Sequence, residues 1–533
     1  DPTSDQIGAI VAPFAQGPIE VPTLVENEND LLNIFGKPYA TDNHYESWMT
    51  ASSFLAYGGP LRVIRADDTD FRNAYVGTST STSIKIKSSD HYEELGYDEN
   101  TITDVTLVAR NSGSWANGIR VAVIDAFADQ ILTLPENVMS NVEVGYGVTQ
   151  AVPDDTFVAG SGTTSALSGH FKGIITQKGV TGYSTNTVAV KILTHVSSGN
   201  TETSVDYTPN GIYRFDNATL TVHDNNSAVG VATTTASGRL DWFDQQTIKT
   251  RTISTGAGST DSTIRWNTIA ERPSTSSYAE ARGSRFDEVH VVIIDGDGKI
   301  TGNSGTILEK HLNLSKAKDA EFSVGSSSYW RRYIKNSSEY VFAGSAPAGV
   351  VTSGFSSSFT KFTDFSWDQD AEDSTSGPII FGVAGNYNAT FDNGKNYGGK
   401  VGLDTAGCLN ATLGTLSTGY GLLENSDQYD VDFLLMGSGR LGTLETQALA
   451  NKLIAVAGVR QDAVAFISPS RASLMNDSAA NGTQTTIYSD STITDNLIEF
   501  YSGVNSSSYA VFDSGYKYMY DRFNDVFRYI PLN

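Results

Sequence analysis

The sequence predicts a multidomain α+β protein: a discontinuous α/β domain formed by both chain ends, with one or two β-rich domains inserted into it. Three observations predict this. The chain has 533 residues, too many for one compact core, so two to four domains are expected. Strand-like and helix-like segments alternate at both ends. Between the ends Thr, Ser, Val, Gly and Asn dominate in alternating runs, the pattern of short strands and turns.

The elements follow in chain order. IGAIVAPF (7–14) and IEVPTLVE (19–26) read as strands separated by the turn Gln16-Gly17-Pro18. ENDLLNIFG (28–36) reads as a short helix stopped by Gly36, because glycine takes the left-handed C′ conformation at little cost. In 41–59, Tyr45, Trp48, Met49, Ser52, Leu55 and Ala56 recur near the helical period, with Asp42 as expected N-cap and Gly58-Gly59 as stop. LRVIRA (61–66) is then a strand. SIKIK (83–87), TVAVKIL (187–193) and HVVIID (290–295) alternate as strands, and 142–250 has almost no helical periodicity. Helices are expected at 306–320 and 327–336, and a long surface connection over 345–378.

The final third returns to α/β style. VDFLLMG (431–437) reads as a strand. TLETQALANKLIAVAG (443–458) reads as a helix, with Thr443 as N-cap, Glu445 in its first turn, Gly458 as stop, and Leu444, Ala448, Leu449, Ile454 and Val456 on one face. AVAFISPS (463–470) completes a right-handed βαβ unit. A helix over 492–503 and three strands within 509–530 follow. The expected division is 1–67 with 376–533 as the α/β core, 68–141 with 251–375 as an inserted α+β region, and 142–250 as a separate all-β insertion.

Composition excludes several classes. Hydrophobic residues at 39% and aromatics at 10% suffice for real cores. Fifty Gly against 14 Pro points to turns between strands rather than linker. A net charge of −24 argues against nucleic-acid binding, which needs clustered Lys and Arg. The single cysteine, Cys408, has no internal disulfide partner and is expected to be a packed small residue. No apolar run approaches the ~20 residues of a membrane span, so no membrane insertion is expected, and no secretory signal is visible. The chain opens at Asp1 and stops at Asn533 after an aromatic-rich strand, which reads as a fragment of something longer.

Four stretches and a scattered set of histidines carry possible chemistry. Gly437-Ser438-Gly439-Arg440-Leu441-Gly442 spells G-x-G-x-x-G between a strand and a helix, the form of a dinucleotide-binding turn. That site needs an acidic residue at the carboxyl end of the second strand, ~20 residues on. Asp462 has the spacing but precedes the strand, which ends in Ser468-Pro469-Ser470, so close helix–sheet packing is the favoured account. DGDGK (295–299) lacks the later ligands of a calcium loop and reads as a turn. GSGTTSALSG (160–169) lacks the Gly-Lys-Ser/Thr of a phosphate loop. The histidines 44, 91, 170, 195, 223, 290 and 311 lack zinc-site spacing. Lys310, Lys316, Lys318, Arg331, Arg332 and Lys335 concentrate positive charge, read as a solvated helix face or as a contact for an acidic patch of another copy. No residue is expected to be catalytic, to bind a cofactor or to hold a metal.

The terminal stretch DSGYKYMYDRFNDVFRYIPL (513–532) has balanced charges, and Tyr516, Tyr518 and Tyr520 alternate as one strand face, read as packing rather than base stacking. It also resembles the signature strand region of contractile bacteriophage tail sheath proteins, particularly of T-even-like myoviruses, including those of marine cyanobacteria. IGAIVAPFAQGPIEVPTLVENENDLLNIFGKP, ASSFLAYGGPLRVIRADD (51–68), GSWANGIRVAVIDAFADQ (113–130), GTILEKHLNLSKAKD (305–319) and ANKLIAVAGVRQDAVAFISPSR (450–471) are similar to sheath sequences in the same order. The resemblance is weakest in 142–250. It implies a sheath core with β-rich middle and outer domains inserted, 68–141 with 251–375 being the middle α+β domain and 142–250 the outer all-β insertion. It implies a non-enzymatic structural subunit that stacks as hexameric rings around a tail tube and contracts. It further implies partners in the tail tube, baseplate and tail terminator, and residence in the virion after assembly in the host cytoplasm. Such proteins also carry an N-terminal arm and a C-terminal domain that this chain is read as lacking, so it is expected to stay monomeric, or nearly so, in solution. The alternatives are a nucleotide-binding enzyme using the 437–442 turn, or the sheath of a non-phage injection system.

Overall fold

A computed structural model describes residues 6–38, 44–79, 83–152, 169–209, 211–216, 218–225, 227–233, 239–256, 258–350, 353–355, 361–363, 367–373, 377–396, 411–440, 442–477 and 485–533. Asp42, Cys408 and 160–168 of the small-residue run lie outside the described residues.

One sheet draws strands from both ends of the chain. Its strands are β1 (Gly8–Ala12), β2 (Thr23–Val25), β3 (Leu61–Arg65), β4 (Phe433–Leu435), β5 (Val464–Ile467) and β6 (Ala510–Phe512), in the order β2-β3-β1-β4-β5-β6. All neighbours are parallel except β2 and β3. The central strands are continuously apolar because helices cover both faces. Ile10 and Ala12 pack with α1 (Glu28–Phe35) and α2 (His44–Leu55), while Ala9 and Val11 pack with α3 (Leu413–Gly421), α4 (Thr443–Arg460) and α5 (Asp490–Ser502). A ribbon of β7 (Tyr516–Asp521) and β8 (Val526–Pro531) closes over α2.

Local signals explain these elements. Asn27 accepts from the Asp30 amide at 3.0 Å to start α1, and Gly36, at φ +78°, ends it. Trp48 of α2 donates to the Gly36 carbonyl at 2.9 Å. Arg65, fully buried at the end of β3, donates to the carbonyls of Phe14, Gly17 and Ala15 and lies over the Phe71 ring.

Among the described residues the middle of the chain forms three further sheets of three or more strands, besides two-stranded ribbons. Val341–Ala343, Val105–Ala109 and Tyr75–Gly77 make one; Thr306–Ser315, Glu288–Asp295, Ile119–Asp125 and Asn386–Thr390 make another. The third is eight-stranded and antiparallel, running over 130–241 and so taking in Gln130–Thr133. Ile124, Val292 and Ile294 of the four-stranded sheet share an apolar cluster with Ile131, Ile174 and Ala189 of the eight-stranded one.

Several expectations need correction. SIKIK is not a strand: Ile84 and Ile86 are buried alternately, but the Ile86 amide bonds to the Asn73 side chain rather than to a ladder. Residues 306–315 are a strand, not a helix, paired along Glu288–Asp295 with two register shifts and Asn313 at φ +56°. Tertiary pairing overrides a spacing that suits either period. Gly442, not Thr443, is the N-cap of α4, and the helix runs through Gly458 to a left-handed Gln461. Leu444, 80% exposed, and Ala448 face outward. Within 345–378, Trp367 and Ala371 are buried, so that stretch is not simply a surface connection.

Candidate functional site at the glycine turn

The turn after β4 lies at the carboxyl end of a parallel sheet, the place where open α/β sheets bind ligands. Its glycines are used unequally. Gly437 is left-handed at φ +67°, and a Cβ there would lie 2.9 Å from Ser47 Oγ. A Cβ on Gly439 would lie 2.8 Å from Ser470 Cα, so this glycine lets the turn meet the exit of β5 backbone to backbone. A Cβ on Gly442 would meet open space.

Three amides of the turn are already engaged within the protein. The Gly437 amide donates to Asn533 Oδ1 at 3.1 Å, and Asn533 Nδ2 donates back to the Gly437 carbonyl. The Ser438 amide donates to Ser47 Oγ at 3.1 Å, and the Arg440 amide to Thr446 Oγ1 at 3.0 Å. Beneath the turn lies Glu46 of α2, 0% exposed. It accepts from Ser438 Oγ at 2.7 Å, from Arg471 Nη1 at 3.4 Å and from the Tyr516 hydroxyl at 3.4 Å. Arg471 also donates to the Tyr529 carbonyl at 3.0 Å. Burial, then the Glu46 carboxylate, pushes the Tyr516 hydroxyl well above its ordinary pKa. A buried carboxylate here opposes a pyrophosphate and instead ties α2, the turn, the β5 exit and the ribbon together. Asp462 sits before β5 and pairs with Arg460 at 3.0 Å. The carboxylate near the strand ends is Asp513, bonded to Ser468 and raised by its burial.

The other candidates resolve as follows. The basic concentration is neither a single solvated face nor one docking patch. Lys316 is fully buried against Asp125 at 2.9 Å and donates to the Phe286 and Gly382 carbonyls, and Arg331 is buried against Asp368 at 2.9 Å. Only Lys310, Arg332, Lys335 and Lys318 reach solvent, with Arg332 paired to Glu99 and Lys335 to Glu93. In DGDGK, Asp295 accepts from the Gly298 and Thr301 amides, as a turn requires. On the ribbon the tyrosines divide: Tyr516 reaches the buried Glu46, as packing requires, whereas the two beyond it face outward. Tyr518, 61% exposed, and Tyr520 stack outward against Phe527, while Met519 and Asp521 face inward. Among the described residues, no group of three or more His, Cys, Asp or Glu is placed to hold a metal, and no helix is long and apolar enough to cross a membrane. Sequence reasoning missed Glu46, Arg471 and Asn533; Glu46 as the lone acidic residue of an α2 without Lys or Arg was the one available signal.

No family model matches the chain. Curated tail sheath proteins are similar to it over 98% of its length: that of Vibrio phage KVP40 at 24% identity, that of Enterobacteria phage T4 at 22%, and that of Salmonella phage ViI at 22%. The chain spans 68%, 67% and 64% of their respective lengths. Among solved structures, the sheath tail protein Lin1278 from Listeria innocua aligns with 99% of this chain and 69% of its own, at 8% identity and a TM-score of 0.28, too low to establish a common fold.

Proposed function

We propose that this chain is a structural subunit of the contractile tail sheath of a bacteriophage, without enzymatic activity. Similarity to phage tail sheath proteins over 98% of the chain is the observation that carries this reading. The glycine turn supports it, since three of its amides and the buried Glu46 serve packing. Subunits stack as hexameric rings around the tail tube, bounded by baseplate and tail terminator, in a virion assembled in the host cytoplasm. Contraction moves subunits between two packings and drives the tube through the host envelope, so energy is stored in assembly rather than drawn from a nucleotide. Nucleic acid and membrane are not direct partners.

The proposed division keeps 1–67 with 376–533 as core, 68–141 with 251–375 as middle and 142–250 as outer domain. The burial of Ile379, Phe381 and Phe391 among middle residues favours moving the second core boundary past 391.

Electron microscopy of the protein with its tail tube partner tests the function. Striated tubular arrays are the expected result. Micromolar binding of NAD or ATP in calorimetric titration would overturn it.

A further inference from the structure

Strands Thr247–Thr255 and Gly258–Arg265 form a separate antiparallel ribbon. Its root is anchored: Ile248 is buried and the Lys249 amide donates to Asn388 Oδ1 at 2.9 Å. Beyond the root, every described residue from Arg251 to Thr260 is exposed. A two-stranded ribbon has little stability of its own, so this half is displayed rather than used for the fold. Its charge is also opposite to that of the molecule. Lys249, Arg251 and Arg265 stand against Asp261 alone, on a chain of net charge −24. Asp261 pairs with Lys249 at 3.1 Å and Arg120 at 3.2 Å, whereas Arg251 makes no ion pair among the described residues. Ile253, 41% exposed, sits beside it.

The complementary surface lies on the same chain. Two exposed acidic stretches are already partly neutralised: Glu93 and Glu99 by Lys335 and Arg332, and Glu424 by Lys452. Helix α5 is different. It carries Asp490, Asp495 and Glu499, no Lys or Arg, and no ion pair among the described residues. Asp495 and Glu499 are four apart on one exposed face, and Ile498 beside them is 64% exposed. An apolar centre with a charged rim is thus present on both sides.

We propose that the ribbon Thr247–Arg265 docks on helix α5 of a second copy of this chain, with Arg251 facing Asp495 and Glu499, and Ile253 against Ile498. The proposal rests on the self-assembling subunit reading. So small a contact, below ~1,200 Å² of buried surface, is weak alone and gains strength only when repeated in an array.

Sedimentation velocity of the full chain over a concentration series at low and high salt tests it. The expected result is weak association at low salt that fades at high salt. K249E/R251E weakens it by about tenfold or more, and D495K/E499K does the same. All four residues are exposed, and unchanged thermal midpoints would show that both variants fold. Mixing the two variants restores association, because the reversed ribbon meets the reversed helix. Association untouched by either reversal, or not restored in the mixture, would overturn the contact and leave self-assembly standing. A wild-type chain monomeric throughout at low salt would also overturn the contact, while the micrographs with tail tube decide the sheath reading separately.

Discussion

Glu46 shows how one side chain decides what a motif means. Its carboxylate is held out of water by Ser438, Arg471 and Tyr516. Removing one member of a buried charged pair leaves the other uncompensated, so Glu46→Ala should cost about 3–5 kcal/mol in urea unfolding. The double change with Arg471→Ala should cost less than the two separate losses together, because they share one interaction. Its helical neighbour His44 gives a pH test. Burial, then Arg65, lowers the His44 pKa to about 3. The unfolded chain protonates near about 6.5, so in that window it binds a proton the folded chain refuses. This share of stability is full above the unfolded pKa and is lost as pH falls toward the folded one, by at most about 1.4 kcal/mol per pH unit. Denaturant midpoints from about pH 7 to pH 5 should fall more steeply for the wild type than for His44→Gln; equal slopes would refute this.

At the scale of elements, the glycine turn predicts an unequal response to substitution. Gly439→Ala forces a Cβ to 2.8 Å from the Ser470 backbone, which should cost about 1–3 kcal/mol. Gly442→Ser enters open space at an N-cap and should be neutral or stabilising by about 0.3 kcal/mol. Thermal unfolding of both variants distinguishes this from a phosphate site, in which the glycines act together. The βαβ unit was legible because β4, α4 and β5 are set by local apolar period and chain order. Residues 306–315 were not, because Ile307, Leu308, Leu312 and Leu314 fit a helix as well as a bulged strand, and only the partner strand chooses. The terminal ribbon was legible in its alternation, but which side faces α2 depends on contacts across most of the chain. The cluster around Glu46 was illegible for the same reason: Glu46 meets Ser438 and Arg471 across 392 and 425 residues of sequence. Lys316 and Arg331 read as surface charge because nothing local marks Asp125 or Asp368 as partners.

For the whole molecule, the apolar clusters fall into two sets among the described residues. One set uses buried residues up to Phe71 and from Ala411 onward; the other lies entirely between Ala74 and Phe391. The seam between them is polar, with Lys87 bonded to Glu20 at 2.6 Å and the Ile19 amide donating to the Lys87 carbonyl. It also contains a cleft of about 1030 Å³ bordered by Gln16, Asn33, Arg110, Trp115 and Tyr340. Cooperativity follows shared apolar burial, and little is shared here, so the two sets should unfold as separate units. Calorimetry of the full chain should resolve two transitions. Glu46→Ala should lower one of them alone, because Ser438, Arg471 and Tyr516 lie in the set built from both ends. Lys316→Met leaves Asp125 buried without its cation and should lower the other alone, by a comparable amount. A single transition shifted equally by both variants would mean that the seam transmits stability despite its polarity. In that case, the two-ended sheet and the middle sheets would move as one body during any change of packing.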